Sequence, residues 1–337
     1  MTAPLGAARR RSEAEPSVKR PSREAAEPAV TGAARLDAPS SAPPTMHGRF
    51  TPYLFLLPYL VVFGVFGLLP VFLGLWLSLH QWDFQLPNKP FVGLDNYKEL
   101  FQSDSLVFSD WWESVRATAI FTVLSVPLLV VLPLGMALLL NRSFPGRTFF
   151  RAVYFAPYVL GVAVIGLLWR FLLDANLGFV NHLLGLVGLP SDTPWVTATP
   201  WAWVSLVGVT VWWTCGFNAV IYLAGLQDIP AELYEAATMD GATTWDKFRH
   251  VTLPGLRPVL LFVITTTILA SANMFGQSYL ITQGAPGNET RTVVSYIVER
   301  GLAQNDAGRA AAMSIVLTLM LMVVSVANFR IFRYRED

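Results

Sequence analysis

The sequence predicts an all-α protein, a polytopic bundle of six transmembrane helices, on three observations. Of its 337 residues 53% are hydrophobic and only 14% charged, with a mean hydropathy of +0.47, whereas soluble chains carry about 25% charged residues. The apolar residues gather into six runs that contain no Asp, Glu, Lys or Arg. Lys and Arg are spread unevenly over the connecting segments, the asymmetry that orients helices in a bilayer. A formal charge of +1 gives no case for nucleic acid. Cys215 is the single cysteine, and His47, His80, His182 and His250 are scattered over the tail, span ends and loops. Neither a disulfide framework, a metal site nor a catalytic cluster is therefore expected, and no Gly-rich phosphate loop is present to bind a nucleotide.

Residues 1–48 are rich in Ala, Pro, Ser, Arg and Glu and nearly free of large apolar side chains. They cannot bury enough surface to offset the entropy of ordering, so a disordered tail is expected. Glu13, Glu15, Glu24, Glu27 and Asp37 set it apart from an organelle transit peptide, and no cleavable secretory signal is present. Residues 49–337 form one membrane domain, with spans at about 53–79, 117–140, 152–169, 201–226, 259–281 and 310–329. Each is near or above the roughly 20 residues that cross a bilayer as a helix. Pro58, Pro70, Pro127 and Pro133 are expected to kink the first two spans, because each removes a backbone donor. Trp82, Trp111, Trp112, Trp195, Trp201 and Trp203 read as an interfacial aromatic belt. Arg170 and Asp174 are spaced to pair on a helix.

Residues 1–49 and segments 141–151, 227–257 and 330–337 hold seventeen of the 24 Lys and Arg. Basic segments stay inside, which places both termini in the cytoplasm. Parity agrees: the fourth of six spans then runs inwards and delivers 227–257 to the same side.

That connection carries the most specific pattern in the chain. Pro230 suits the first turn of a helix and Asp228 can cap it; Gly241 permits the reversal that ends it, and Thr243 or Thr244 can cap a second short segment. A helix from Asp228 to Met239 is a rod of roughly 18 Å, too short to cross a membrane. Ala236 and Ala237 leave a shallow surface that a partner's groove can approach closely. Glu235-Ala236-Ala237, three residues, Gly241, nine residues, Val251, one residue, then Leu253-Pro254 resembles the EAA signature of the membrane subunits of binding-protein-dependent ABC importers. Four further segments are similar to the maltose and glycerol-phosphate type permeases of that family: 91–97, 146–152, 223–230 and 279–287. Ala285 departs from them where relatives often have glycine.

The resemblance implies the type I ABC importer permease fold, with 227–257 as a coupling loop seated in a cytoplasmic ATPase through Glu235, Ala236, Ala237, Gly241, Val251, Leu253 and Pro254. It implies a second homologous permease, two copies of the ATPase that binds the ATP, and an extracytoplasmic solute-binding protein, in a bacterial cell membrane. No cofactor and no enzymatic activity are expected in this chain. A sugar or related polyol is the expected cargo; importers of other solutes share the signature, and a stand-alone secondary transporter is the remaining alternative. Such a transporter usually carries charged intramembrane residues, which the six runs lack.

The fifth span is the most polar, with Thr265, Thr266, Thr267, Ser271, Asn273, Gln277 and Ser278. Read as one helix, Thr267, Ser271 and Ser278 share a face, and Asn273 and Gln277 share another. The Thr and Ser residues are expected to bind neighbouring helices. Asn273 and Gln277 fit either that role or a place along the solute path.

Overall fold

A computed structural model describes residues 51–333 of the chain, so the tail expected over 1–48 lies outside the described residues. The helices are α1 (Thr51–Phe63), α2 (Leu69–Ser78), α3 (Asp95–Lys98), α4 (Leu106–Asn141), α5 (Arg147–Val159), α6 (Val162–Leu172) and α7 (Phe179–Leu186). They continue with α8 (Trp201–Gln227), α9 (Ala231–Met239), α10 (Thr244–Lys247), α11 (Leu253–Gly255), α12 (Arg257–Ala272), α13 (Val293–Val298) and α14 (Ala307–Arg333). The chain divides at Pro58 into two compact units: of the first, the described residues 51–58 are the opening turns of α1, and the second begins at Tyr59. Four stretches are long and apolar enough to cross a membrane uninterrupted: Tyr53–Ser78, Leu106–Asn141, Trp201–Gln227 and Ala307–Ile331. Two bent pairs bring the total to six if each is one span. Among the described residues there are no strands, only the isolated bridges His80–Phe91 and Asp83–Asp306.

α4 and α8 form the spine and run in the same direction. Phe121, near the middle of α4, shares a buried cluster with Leu206 near the start of α8, and Ala137 shares another with Tyr222 near the ends of both helices. α12 lies antiparallel to both, with Val263 in the Ala137 cluster and Ser271 Oγ 3.1 Å from Ser125 Oγ. α14 runs with α4: Met313 joins Trp111 at one end, and Asn328 Nδ2 donates to Thr265 Oγ1 at 2.6 Å towards the other. The upper end, where α4 and α8 begin, holds α3, α7 and α13; the lower end, where they finish, holds α9 to α11.

α4 is longer than the expected second span. Ser105 caps it by accepting from the Val107 amide, and Val107 and Trp111 are buried with Leu100, Tyr296 and Met313. Residues 106–116, expected as loop, are therefore helix, and Trp111 is a core residue with no exposure instead of part of an interfacial belt. Pro127 and Pro133 lie inside α4 without ending it. Proline at 133 leaves the Leu129 carbonyl without its helical donor; Asn218 Nδ2 supplies one at 2.9 Å. In the first span the irregularity is a π-helical turn, Gly64–Leu68, immediately before Pro70.

Two expected spans are not single helices. The third, expected over 152–169, is α5 and α6, bent by 96° across Leu160 and Gly161, both of which have extended backbone. Pro157 weakens the last turn of α5, and Trp213 Nε1 donates to the exposed Leu160 carbonyl at 3.2 Å. The fifth, expected over 259–281, ends as a helix at Ala272, with Asn273 in the cap position and its side-chain Nδ2 donating to Leu269 O at 2.8 Å. Helix resumes at Gly276 and passes into a π turn, Ser278–Thr282. Asp174 lies beyond the end of α6 and makes no ion pair with Arg170; its carboxylate accepts the amides of Asn176 and Leu177, both at 2.9 Å. Those amides, Leu177 first, hold the Asp174 carboxyl below the ordinary carboxylate range.

Candidate functional site

The two helix breaks meet. A cavity of about 500 Å3 opens between them, reached by Tyr158 and Val162 from the third-span break and by Asn273 to Gln277 from the fifth. Gly276 allows the contact, since a Cβ there would stand 2.3 Å from Val162 Cγ2. α8 forms the facing wall with Thr210, Trp213, Thr214, Phe217 and Asn218. Tyr158 stacks on Phe217 with ring centroids 4.4 Å apart and planes 14° off parallel, and Trp213 stands 6.5 Å from Tyr158. α5 reaches α8 this closely because Gly216 has no side chain: a Cβ would lie 2.0 Å from the Tyr154 carbonyl oxygen. No residue lining the cavity is charged.

Asn273 and Gln277 both line this cavity, but not as one stripe of one helix, since the chain unwinds between them. Gln277 is buried, with Nε2 3.4 Å from Thr210 Oγ1. Asn273 is exposed; its Nδ2 is engaged by Leu269 O, and its Oδ1 takes no hydrogen bond among the described residues. The smaller polar residues bind neighbouring segments: Ser271 to Ser125, Thr267 to Asn218 at 3.4 Å, and Ser278 to the Thr290 carbonyl at 2.6 Å. Tyr158, Val162, Trp213, Phe217 and Asn218 were not singled out from the sequence. Pro157 and Gly161 bracketing the middle of an apolar run were the available signal for the first two.

The second region is the projecting segment 228–256. α9 starts at Ala231 with Pro230 in the cap position (φ −57°, ψ 131°), so Pro230 precedes the helix instead of opening its first turn. Asp228 closes α8 and caps nothing. The rod is correspondingly shorter, nine residues or about 13 Å. Its end is as expected: Gly241 sits at φ +76°, the Ala242 amide reaches Ala237 O at 2.9 Å and the Gly241 amide reaches Thr238 O at 3.0 Å. This paired closure needs a left-handed residue. Thr243 caps α10 in a reciprocal box with Asp246, and the Thr243 hydroxyl and amide hold the Asp246 carboxyl below its usual range.

No residue of α9 is buried; Leu233, Met239 and Trp245 face solvent, as do Glu235 and Ala236, with Ala237 partly covered. The return of the loop, a π-helical turn over Phe248–Thr252 followed by α11, places Val251 and Pro254 at half burial and Leu253 on the surface. One hydrogen bond, Tyr234 Oη to Thr252 Oγ1 at 3.0 Å, ties α9 to that return, and Ile229 packs against Gly255, where a Cβ would come within 2.9 Å of it. The segment then turns by 68° into α12.

Residues 100–336 match the family of binding-protein-dependent transport system inner membrane components. The chain belongs to this family. As an inner membrane component it is 33% identical over 285 residues to the trehalose/maltose transport system permease protein MalF of Thermococcus litoralis, covering 85% of this chain and 94% of that protein. It is 34% identical over 289 residues to the arabinooligosaccharides transport system permease protein AraP of Bacillus subtilis, covering 84% and 88%. Its fold matches a chain of a bacterial ABC transporter involved in the import of the acidic polysaccharide alginate, with a TM-score of 0.74 at 24% identity over 85% of this chain and 96% of that one. The alginate transporter has also been solved in complex with an alginate pentasaccharide-bound periplasmic protein, with a TM-score of 0.68 at 24% identity over 82% and 92%. The inner membrane component described here is thus a membrane protein of solute transport.

Proposed function

We propose that the chain is one permease of an ATP-driven importer for a sugar or related polyol. The observation that carries this reading is the uncharged cavity at the meeting of two broken helices. Unwound backbone inside a membrane bundle persists where it is buried or lines a cavity, and discontinuous helices build the solute sites of many transporters. Tyr158, Trp213 and Phe217 offer faces to the C–H surface of a sugar ring. Asn218, Asn273 and Gln277 offer amides to its hydroxyls. Each such hydrogen bond is worth about 0.5–1.5 kcal/mol net, enough to orient a solute and too little to trap it. The saccharides in the names of the relatives point the same way.

In this reading a second homologous permease completes the path, an extracytoplasmic binding protein delivers the solute, and two copies of a cytoplasmic ATPase hold the ATP. α9 is the docking knob, with Ala236 and Ala237 on the approach surface, Gly241 setting the reversal, and Glu235, Val251, Leu253 and Pro254 completing the coupling unit. When the ATPase pair closes, the segment moves and α12 follows through the 68° joint, which shifts the lower side of the cavity. Both termini lie in the cytoplasm on this account. Arg142, Arg147, Arg151, Lys247, Arg249 and Arg257 cluster at the lower end, where the inside-positive bias would put them.

The test is uptake into liposomes by the importer assembled with its partner chains, using maltose, trehalose and arabinotriose. ATP-dependent uptake of a saccharide is expected. In the Asn273→Ala, Gln277→Ala double variant we expect uptake to fall about tenfold, the size of losing one or two such bonds, with the ATPase still stimulated. Unchanged uptake and preference in that variant removes both residues from the path.

A further inference from the structure

The charged side chains of the upper end are mostly spent on one another. Arg309 binds both oxygens of Glu99, at 2.6 and 3.0 Å, and Asp306 at 2.8 Å. Arg291 joins Asp110 at 2.9 Å to Glu299 at 3.3 Å. Five upper-end charges take no side-chain hydrogen bond or ion pair among the described residues: Glu113, Arg116, Arg170, Asp192 and Glu289. Three of them, Glu113, Arg116 and Glu289, line a single cleft of about 490 Å3, together with Trp203 and Asn288. Arg170 lines a hollow on the other side of the same 285–287 turn. The Trp203 indole N–H and the Asn288 side-chain amide take no hydrogen bond among the described residues.

The frame that presents these groups is fixed. Thr290 ties the turn down, donating to Ala285 O at 2.8 Å and sharing a hydroxyl contact of 2.8 Å with Thr282, while its carbonyl accepts from Ser278. Glu113, Arg116 and Ile120 recur along one face of α4. The next residue, Phe121, is fully buried with Leu206 and Met274 and lines the central cavity. Along α4 the cleft residues Glu113 to Ile120 precede the cavity residues Phe121 and Leu129, so the cleft lies nearer the upper end than the cavity.

We propose that this cleft is a waiting subsite that holds an uncharged saccharide above the Phe121, Leu206 and Met274 layer; the proposal rests on the transport reading given above. An indole face suits the C–H surface of a pyranose, two carboxylates accept from its hydroxyls, and a guanidinium donates to ring and linkage oxygens. Two carboxylates to one guanidinium leave the cleft net negative, which selects against uronates and sugar phosphates.

The experiment is cysteine protection in the assembled importer in nanodiscs, without binding protein. Cys215 is buried, so a maleimide reports on an introduced cysteine: Asn288→Cys for the cleft, Thr214→Cys for the central cavity. The probes are maltose, trehalose and sucrose against digalacturonate. At about ten times its dissociation constant a neutral disaccharide should slow N288C labelling about tenfold, digalacturonate should not, and adding Trp203→Leu or Glu113→Gln should abolish the protection. Protection of T214C but never of N288C overturns the subsite and leaves the transport reading standing. Equal protection of N288C by digalacturonate overturns the assignment to uncharged saccharides, and protection that survives both added substitutions overturns the assignment to this cleft. Protection at neither position, with no saccharide uptake, overturns the transport reading and the subsite with it.

Discussion

The bundle interrupts its apolar helices in two ways, and the two differ in what holds the interruption in place. At the lower end the chain leaves α8, makes the α9 knob and returns to α12 through devices that act within a few residues: Pro230, Gly241 at φ +76° and the Thr243–Asp246 box. At mid-bundle the breaks at Leu160–Gly161 and Asn273–Phe275 are held by partners far away in sequence. Trp213 holds the Leu160 carbonyl, Thr292 donates to Met274 O at 2.6 Å, and Gly276 receives Val162. A locally set interruption keeps its shape while it moves as a unit, which suits a lever. One set by its neighbours changes when they move, which suits a gate.

The largest effect should come from breaking the lever. Gly241→Pro fixes φ near −65° where +76° is observed and costs on the order of 3 kcal/mol, about a 100-fold loss of the docked geometry. Uptake should fall by that factor while membrane insertion and thermal stability of the upper bundle stay as in the parent. Gly241→Asn, which tolerates the left-handed region, should retain most activity. A Cβ at 241 meets nothing within 4 Å, so any loss reports backbone conformation alone. Normal uptake by the proline variant would break the contrast between the two regions.

The gate should fail through packing instead. Gly276→Ala drives a methyl against Val162, at 2.3 Å, and overpacking of this kind costs about 1–3 kcal/mol. We expect a lower unfolding temperature and reduced uptake, and partial recovery of both in the Gly276→Ala, Val162→Ala double variant. Without that recovery, Val162 is not what the glycine accommodates.

How far each region could be read from the sequence follows from the same difference. The reversal at Gly241 and a cap at Thr243 or Thr244 were legible because the residues that cause them lie beside the structure they make; the structure selects Thr243. Proline itself was misplaced by one position at 230, since it serves equally in the first turn and just before it. The end of α12 was not legible: nothing within 259–281 marks Asn273 as a terminus, and the Thr292 hydroxyl that holds the Met274 carbonyl lies outside that run. The extension of α4 through 106–116 was missed because a charged stretch was read as loop, whereas Trp111 and Val107 bury one side of it against α13 and α14. The aromatic wall of the cavity joins Tyr158 to Phe217 across 59 positions of sequence, a pairing that periodicity cannot supply. The six-run pattern gave the spans; which of them are broken depends on neighbours.

A smaller effect tests whether distant partners also hold the unbroken part of the bundle. Asn218→Leu leaves the Leu129 carbonyl, already deprived of its helical donor by Pro133, without the 2.9 Å bond; a buried unsatisfied acceptor costs about 1–3 kcal/mol. Pro133→Ala restores the amide to the helix, so Asn218→Leu should cost less in that background. Chemical denaturation of the four variants gives the coupling energy directly, and a value near zero would mean that the carbonyl finds another donor.

The smallest effect belongs to the cap of α10. Thr243→Ala removes the hydroxyl that accepts from the Asp246 amide, worth about 1 kcal/mol at a helix start, and Thr243→Ser should preserve it. The pH dependence has a definite sign. Because the folded-state pKa of Asp246 is lowered by Thr243, the box contributes above the ordinary carboxylate range and its contribution disappears as pH falls through the folded value. The difference between parent and Thr243→Ala should therefore shrink on acidification. Hydrogen exchange of the α10 amides at neutral and acidic pH measures it without requiring transport, and a difference that does not depend on pH would assign the cap to the hydroxyl alone.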